Sequence, residues 1–277
     1  MDNIFESSKF KLQYISDLHM ETNDINFVDN IKCVSDNIAL LGDIGYPYHE
    51  NYALFLSGIS KKFKNVFLLA GNHEYYQHEY PMKTYSEIKL KIQDICNTFT
   101  NVHFLDNDCF ILNHNGTDVI IVGSTLWTNV DNENRFKIKN GIADYMYIYK
   151  DKYRNISIDD TNLLNSISKD YISSTLEKYK NNNVVVLSHH LPTSDLIHPQ
   201  YKNNPLNSAF FSDCSSILRK YGNLNNSHYP LKAWICGHSH SSIQTYSNGV
   251  YLGLNCFGYP SQLSDNFSFD KYLEFDL

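Results

Sequence analysis

Short apolar runs alternate with longer amphipathic ones along this chain. Seven runs, at residues 12–15, 38–41, 66–69, 119–122, 184–187, 233–236 and 250–254, are short and apolar, and each contains Val or Ile. Runs this short, bounded by polar residues, read as strands buried on both faces, since a helix needs a longer periodic stretch. Between them, residues 84–99 repeat Ile88, Ile92, Ile95 and Phe99 at three- and four-residue spacing, and Thr84 with Glu87 forms a capping box. Residues 159–180 begin with Asp159 and Asp160 and carry Leu163, Leu164, Ile167, Tyr171 and Leu176 as the expected apolar stripe. Residues 208–221 repeat the pattern with Phe211, Cys214, Ile217, Leu218 and Tyr221, and Gly222 stands where a helix-ending glycine belongs. Strands alternating with helices, then mostly strands, predict one mixed α/β domain over residues 1–277. Residues 129–160, rich in Asn, Asp, Lys and Tyr, read as an insertion or lid within it.

Composition narrows the class. Of 277 residues, 42% are hydrophobic and 14% aromatic, which supplies a sizeable core and excludes intrinsic disorder. Thirty acidic against 23 basic residues give a net charge of −7, which disfavours long nucleic acid as a partner. The apolar runs fall far short of the roughly 20 residues of a membrane helix, so no membrane partner is expected. The acidic start, Asp2 to Glu6, has no signal-peptide pattern, and the six cysteines form no C-x-x-C pair. Reduced thiols and a cytoplasmic location are the expectation.

Chemistry-bearing residues fall at the ends of the expected strands. The first ends in Ser16-Asp17-Leu18-His19, the second in Gly42-Asp43, and the third in Gly71-Asn72-His73-Glu74. Later ones end in Ser188-His189-His190 and Gly237-His238-Ser239-His240. In open α/β sheets, ligands gather at the carboxyl ends of strands. In an extended D-x-H or H-x-H, side chains two apart share a side and can reach one site. Taken singly, Asp17 reads as a turn residue, Asn72 as a helix cap and each histidine as a half-buried packing residue. Those readings leave unexplained why seven ligand-type residues fall at successive strand ends. Imidazoles, carboxylates and one amide suit Mn, Fe or Zn rather than calcium or a thiolate zinc site. Seven ligands are too many for one transition metal and suit two divalent metal ions sharing a carboxylate.

The ordered set D-x-H, G-D, G-N-H-E, H-H and G-H-x-H resembles the calcineurin-like metallophosphoesterase superfamily over residues 15–240. The resemblance implies a four-layer α/β/β/α sandwich of two mixed β-sheets flanked by helices. It implies one metal held by Asp17, His19 and His240, another by Asn72, His189 and His238, and Asp43 bridging both. It implies that His73 faces the scissile phosphate and serves the leaving group, while a hydroxide bridging the two ions attacks. His190 is the alternative to His189, as ligand or as a lining of the substrate pocket. Residues 123–128 and Asp144-Tyr145 look like a feature of one branch of the superfamily. Tyr75, Tyr76, Trp127 and Tyr145 are candidate flat walls for a base or sugar, with core packing the competing reading of each. Glu74 is expected to support its loop. His49, His78, His103, His114, His198 and His228 have no such context and are read as surface or core histidines.

Other hydrolytic signatures are missing from the sequence. Residues 237–241 lack the last glycine of a nucleophile elbow, and neither His73-Glu74 nor His78-Glu79 continues into H-E-x-x-H. The expectation is a phosphoesterase acting on a small phosphorylated substrate, monoester or diester. The rival is a catalytically silent scaffold of the same fold, against which the retention of His73 counts.

Overall fold

The computed structural model describes residues 9–78, 80–222 and 229–277; His228, read above as a packing or surface residue, lies outside them. The chain runs β1 (Lys9–Ile15), α1 (Phe27–Asn30), β2 (Asn37–Leu41), α2 (Glu50–Ser60), β3 (Asn65–Leu69), α3 (Tyr85–Cys96) and β4 (Val102–Phe104). Next come β5 (Asp108–His114), β6 (Thr117–Ser124), α4 (Arg135–Gly141), α5 (Asp144–Tyr147), α6 (Ile158–Lys178) and β7 (Asn183–Ser188). It finishes with α7 (Ser215–Tyr221), β8 (Leu231–Cys236), β9 (Gln244–Ser247), β10 (Val250–Leu254) and β11 (Tyr272–Asp276).

Two mixed sheets result, ordered β11-β1-β2-β3-β4 and β5-β6-β7-β8-β10-β9. Strands β1 to β4 are parallel, as are β6, β7, β8 and β10; β11, β5 and β9 join antiparallel at edges. The sheets face each other through Phe10, Leu12, Leu41, Phe67 and Leu69 on one side and Val119, Ile121, Val185, Leu187 and Ile235 on the other. The outer face of the first sheet, with Ile38, Leu40, Val66 and Leu68, buries Tyr52, Leu56 and Ile59 of α2 and Ile88 and Ile92 of α3. The outer face of the second, with Val122, Val184 and Val186, buries Ile172 and Leu176 of α6 and Ile217 and Leu218 of α7. The architecture is α/β/β/α.

Helix α6 departs from its expected face. It starts at an N-cap, Ser157, whose hydroxyl accepts from the Asp160 amide in a capping box. Its buried positions include Thr161, Asn165, Ser168, Ile172 and Thr175, whereas Leu163 and Ile167 are 61% and 47% exposed. Hydrogen bonds override the apolar stripe: Asn165 Nδ2 donates to the Trp127 carbonyl and to Ser212 Oγ. Helix α7 is shorter than expected, beginning at Ser215 with Cys214 as its cap. Gly222 ends it in an extended, not left-handed, conformation; a Cβ there would lie 2.4 Å from the Asn248 carbonyl oxygen, so close approach requires the glycine. Residues 129–160 carry α4 and α5 and bury Val130, Ile138, Tyr145, Ile148 and Ile156 against the first sheet. Among the described residues, no helix is long and apolar enough to cross a membrane.

Candidate metal centre

Parallel strands deliver their carboxyl ends to one edge, and the seven ligand-type residues follow β1, β2, β3, β7 and β8 there. The expected extended D-x-H and H-x-H geometry is not how they converge. Asp17, His19, Asp43, His238 and His240 all have left-handed backbones, with φ of 56°, 44°, 52°, 71° and 47°. Each such non-glycine residue costs about 1–2 kcal/mol, and this strain persists where the surroundings fix it. Here main-chain bonds between loops do so: Asp17 N donates to Gly42 O and His19 N to Asp43 O, both at 3.0 Å. Gly71 is required by space, because a Cβ there would stand 2.2 Å from Asp43 Oδ1 and 2.6 Å from His189 Cε1.

The donors form two groups that meet at one carboxylate. Asp17, His19 and His240 offer ligand atoms within 4.8 Å of one another, and so do Asp43, His189 and His238. Asp43 Oδ2 lies 3.8 Å from His19 Nε2 and 3.5 Å from His189 Nε2, between the groups. Asn72 Oδ1 joins the second group, 3.0 Å from His189 Nε2.

The outer hydrogen bonds decide which atoms face inward. His189 Nδ1 donates to the Leu41 carbonyl at 2.8 Å, leaving Nε2 as a lone pair in the neutral ring. That lone pair faces Asn72 Oδ1 and, at 3.2 Å, His238 Nδ1. The Asn72 amide nitrogen donates to Asp144 Oδ1 at 2.9 Å and to the Tyr76 hydroxyl at 3.1 Å, which fixes its oxygen toward His189. His19 Nδ1 faces Glu21 Oε1 at 2.9 Å, turning Nε2 toward His240 Nε2 at 3.0 Å. Acceptors thus converge on acceptors, an arrangement a divalent cation satisfies. The donor set fits a metal.

Electrostatics agree with that reading. Burial, then neighbouring imidazoles, hold His238 well below its ordinary pKa, and burial lowers His240 as well, so both stay neutral. Burial opposes charge on His189, yet the Asp43 carboxylate outweighs it and raises its pKa to about 10. Burial also opposes charge on His73, and the Asp43 and Glu21 carboxylates outweigh it and raise its pKa.

Glu74 supports its loop as expected, and Glu21 and Tyr259, which were not expected, complete the site. Glu74 is fully buried and accepts from the main-chain N–H of Gly71, Asp43 and Ile44 at 2.7, 2.9 and 2.8 Å, tying two ligand loops together. Glu21, two residues beyond His19, lies 3.5 Å from His73 Nδ1 and links a ligand-type histidine to His73. Burial alone would raise the Glu21 carboxyl, but hydrogen bonds from His19 and His73 bring it to about 2. The Tyr259 hydroxyl lies 2.8 Å from His73 Nε2. Asp144 braces Asn72 rather than facing substrate. The D-x-H-x-E spacing could have pointed to Glu21; Tyr259 follows β10 without any motif.

His190 lies apart from the donors. It is 1% exposed, its Nδ1 is 3.2 Å from the Thr125 carbonyl, and its ring packs 4.3 Å from that of His238. Burial and the neighbouring His189 lower its pKa to about 3, as expected of a neutral packing histidine. Tyr75 stacks on Tyr85 at 4.2 Å, and Trp127 Nε1 donates to the Tyr85 hydroxyl; both are core residues. Tyr145 is buried with its hydroxyl 3.2 Å from Thr161 Oγ1. Of the four aromatic candidates only Tyr76 borders the site, stacked on His73 at 4.2 Å.

The calcineurin-like phosphoesterase model matches residues 11–242. The chain belongs to that family. It is 33% identical over 285 residues to an uncharacterized protein of Acanthamoeba polyphaga mimivirus, covering 96% of each. It shares its fold with the phosphopantetheinyl hydrolase of Mycobacterium tuberculosis, with a TM-score of 0.71 and 15% identity over 91% of this chain and 90% of that one. A putative 5′-nucleotidase from Staphylococcus aureus aligns with a TM-score of 0.51 and 13% identity, over 91% of this chain and 49% of that one.

Proposed function

We propose that this calcineurin-like phosphoesterase hydrolyses small phosphomonoesters or phosphodiesters with two divalent ions bound at the strand ends. The observation that carries the reading is Asp43 Oδ2, within 3.8 Å of one donor group and 3.5 Å of the other. Asp17, His19 and His240 would hold one ion, Asn72, His189 and His238 the second, and Asp43 both. A bound pair supplies an activated water near neutral pH and screens the charge on the phosphoryl oxygens. His73, 15% exposed at its side chain, faces the approaching ester and stabilises or protonates the leaving oxygen. The Tyr259 hydroxyl lies 2.8 Å from Nε2 of that imidazole, and the Glu21 carboxylate 3.5 Å from its Nδ1.

One structural relative is a phosphopantetheinyl hydrolase and the other a putative 5′-nucleotidase, which supports phosphoester chemistry. Free cysteines, most of them buried, support a reducing, cytoplasmic setting. The pairing of β11 with β1 supports one domain across the chain, with residues 129–160 as an integrated insertion. Manganese is the first metal to try, since N/O ligand sets of this kind suit it.

The test is hydrolysis of bis-p-nitrophenyl phosphate beside p-nitrophenyl phosphate by chelator-stripped protein given Mn²⁺. Cleavage restored by metal and missing from Asp43→Asn supports the reading. Silence on both esters, with two ions bound, would favour a scaffold.

A further inference from the structure

Beside His73 runs a set of rings different from the one the sequence suggested. Tyr76 stacks on His73 at 4.2 Å and 30°. Tyr147 follows at 5.8 Å from Tyr76, His78 at 4.5 Å from Tyr147, and Tyr46 at 5.8 Å from His78. The rings come from three places: the loop after β2, the loop after β3, and α5. The bond from Gln77 N to Tyr147 O, 3.0 Å, fixes the last two together. Burial, and then the Glu21 and Asp43 carboxylates, raise the pKa of the Tyr46 phenol.

Burial separates this arc from ordinary core aromatics. Tyr75, Tyr85 and Trp127 are 1%, 8% and 2% exposed, whereas Tyr147 is 38% exposed, Tyr46 is half-buried and His78 is exposed. Flat faces that are contiguous, part-solvated and begin at the residue serving the leaving oxygen are suited to a planar group on that oxygen's far side. The carboxylate of Asp144 next to them is engaged by Asn72 and Tyr76.

We infer that Tyr46, His78 and Tyr147, backed by Tyr76, form a wall on which a planar aromatic leaving group such as a nucleobase stacks. This rests on the phosphoesterase reading and narrows its substrate class. The wall confers preference for esters whose leaving alcohol carries a flat ring over those with the same alcohol and no ring.

Two matched pairs test it: adenosine 5′-monophosphate against ribose 5-phosphate, and adenosine 2′,3′-cyclic phosphate against glycerol 1,2-cyclic phosphate. Within each pair the reacting centres are alike, so the ratio of kcat/KM reads the ring. For the Mn²⁺-loaded wild type we expect a ratio of about 10 or more on the pair it cleaves. In Tyr147→Ala and in Tyr46→Leu the ratio falls toward 1 through KM, and Tyr147→Phe restores it. Because a ratio is read, a general loss of activity cancels. A wild-type ratio near 1, or one unmoved by both variants, overturns the inference. If the wild type cleaves none of the four esters but hydrolyses a nitrophenyl ester, the phosphoesterase reading stands and the inference is overturned. If it cleaves no ester at all, that reading fails, and calorimetric binding of adenosine decides the wall separately. Adenosine binding at least about tenfold weaker in Tyr147→Ala sustains the wall, and equal or undetectable binding overturns it.

Discussion

The two donor groups that meet at Asp43 are built in different ways. Asp17, His19 and His240 are all left-handed, and main-chain bonds hold them: Gly258 N donates to Asp17 O at 2.9 Å, and His238 N reaches the Asp17 carboxylate at 3.0 Å. In the second group, apart from the shared Asp43, only His238 has that backbone. Asn72 and His189 are aimed instead by hydrogen bonds of their side chains, Asn72 donating to Asp144 and Tyr76, and His189 to the Leu41 carbonyl at the end of β2. One half depends on loop geometry and the other on side-chain braces, one of which arrives from residues 129–160. Substitutions can therefore separate them.

The largest effect is expected at the shared atom. Asp43→Asn should lower turnover by more than about 100-fold, the upper end for losing only an outer partner, and reduce both ions bound. Steady-state rates with metal analysis check this. Next comes Gly71→Ala, whose Cβ would stand 2.2 Å from Asp43 Oδ1. Activity should fall at least about tenfold while circular dichroism stays native, because the displaced group is the carboxylate between the halves. Asp144→Ala should weaken one ion about 10–100-fold and spare the other, giving two separated transitions in a metal titration. Glu21→Gln should act on the opposite half, weakening the ion at His19 by about tenfold and lowering turnover through His73. The smallest effect is Thr84→Ala in the exposed capping box of α3, which should cost about 1 kcal/mol in urea unfolding and leave both metal affinities unchanged.

What was legible in the sequence follows burial. The seven apolar runs are β1, β2, β3, β6, β7, β8 and β10, the interior strands, buried on both faces. The strands that were missed, β4, β5, β9 and β11, lie at the four sheet edges, where half-exposed positions break the apolar run. Helix α2 escaped notice although it buries Tyr52, Phe55, Leu56 and Ile59. Its stripe follows directly on a loop without a side-chain cap bond. The seven ligand-type positions were visible because strand ends are local in sequence. The left-handed backbones of five of them were not, since Asp and His do not announce that conformation as glycine does. The flat-wall candidates Tyr75, Trp127 and Tyr145 went into the core because an aromatic residue near a motif gives no sign of which way it turns. Tyr259 and the bracing role of Asp144 depend on contacts between distant segments, which no local pattern encodes, whereas Glu21 stands in a local D-x-H-x-E spacing that was legible.

The central claim is that Asp43 joins two metal positions, and the most direct measurement is metal stoichiometry. Protein stripped with chelator, equilibrated with Mn²⁺ and freed of excess should hold two ions per chain by plasma mass spectrometry. Asp144→Ala should retain one under the same conditions, and Asp43→Asn fewer than wild type. A wild-type value of one or none at saturation would contradict the account.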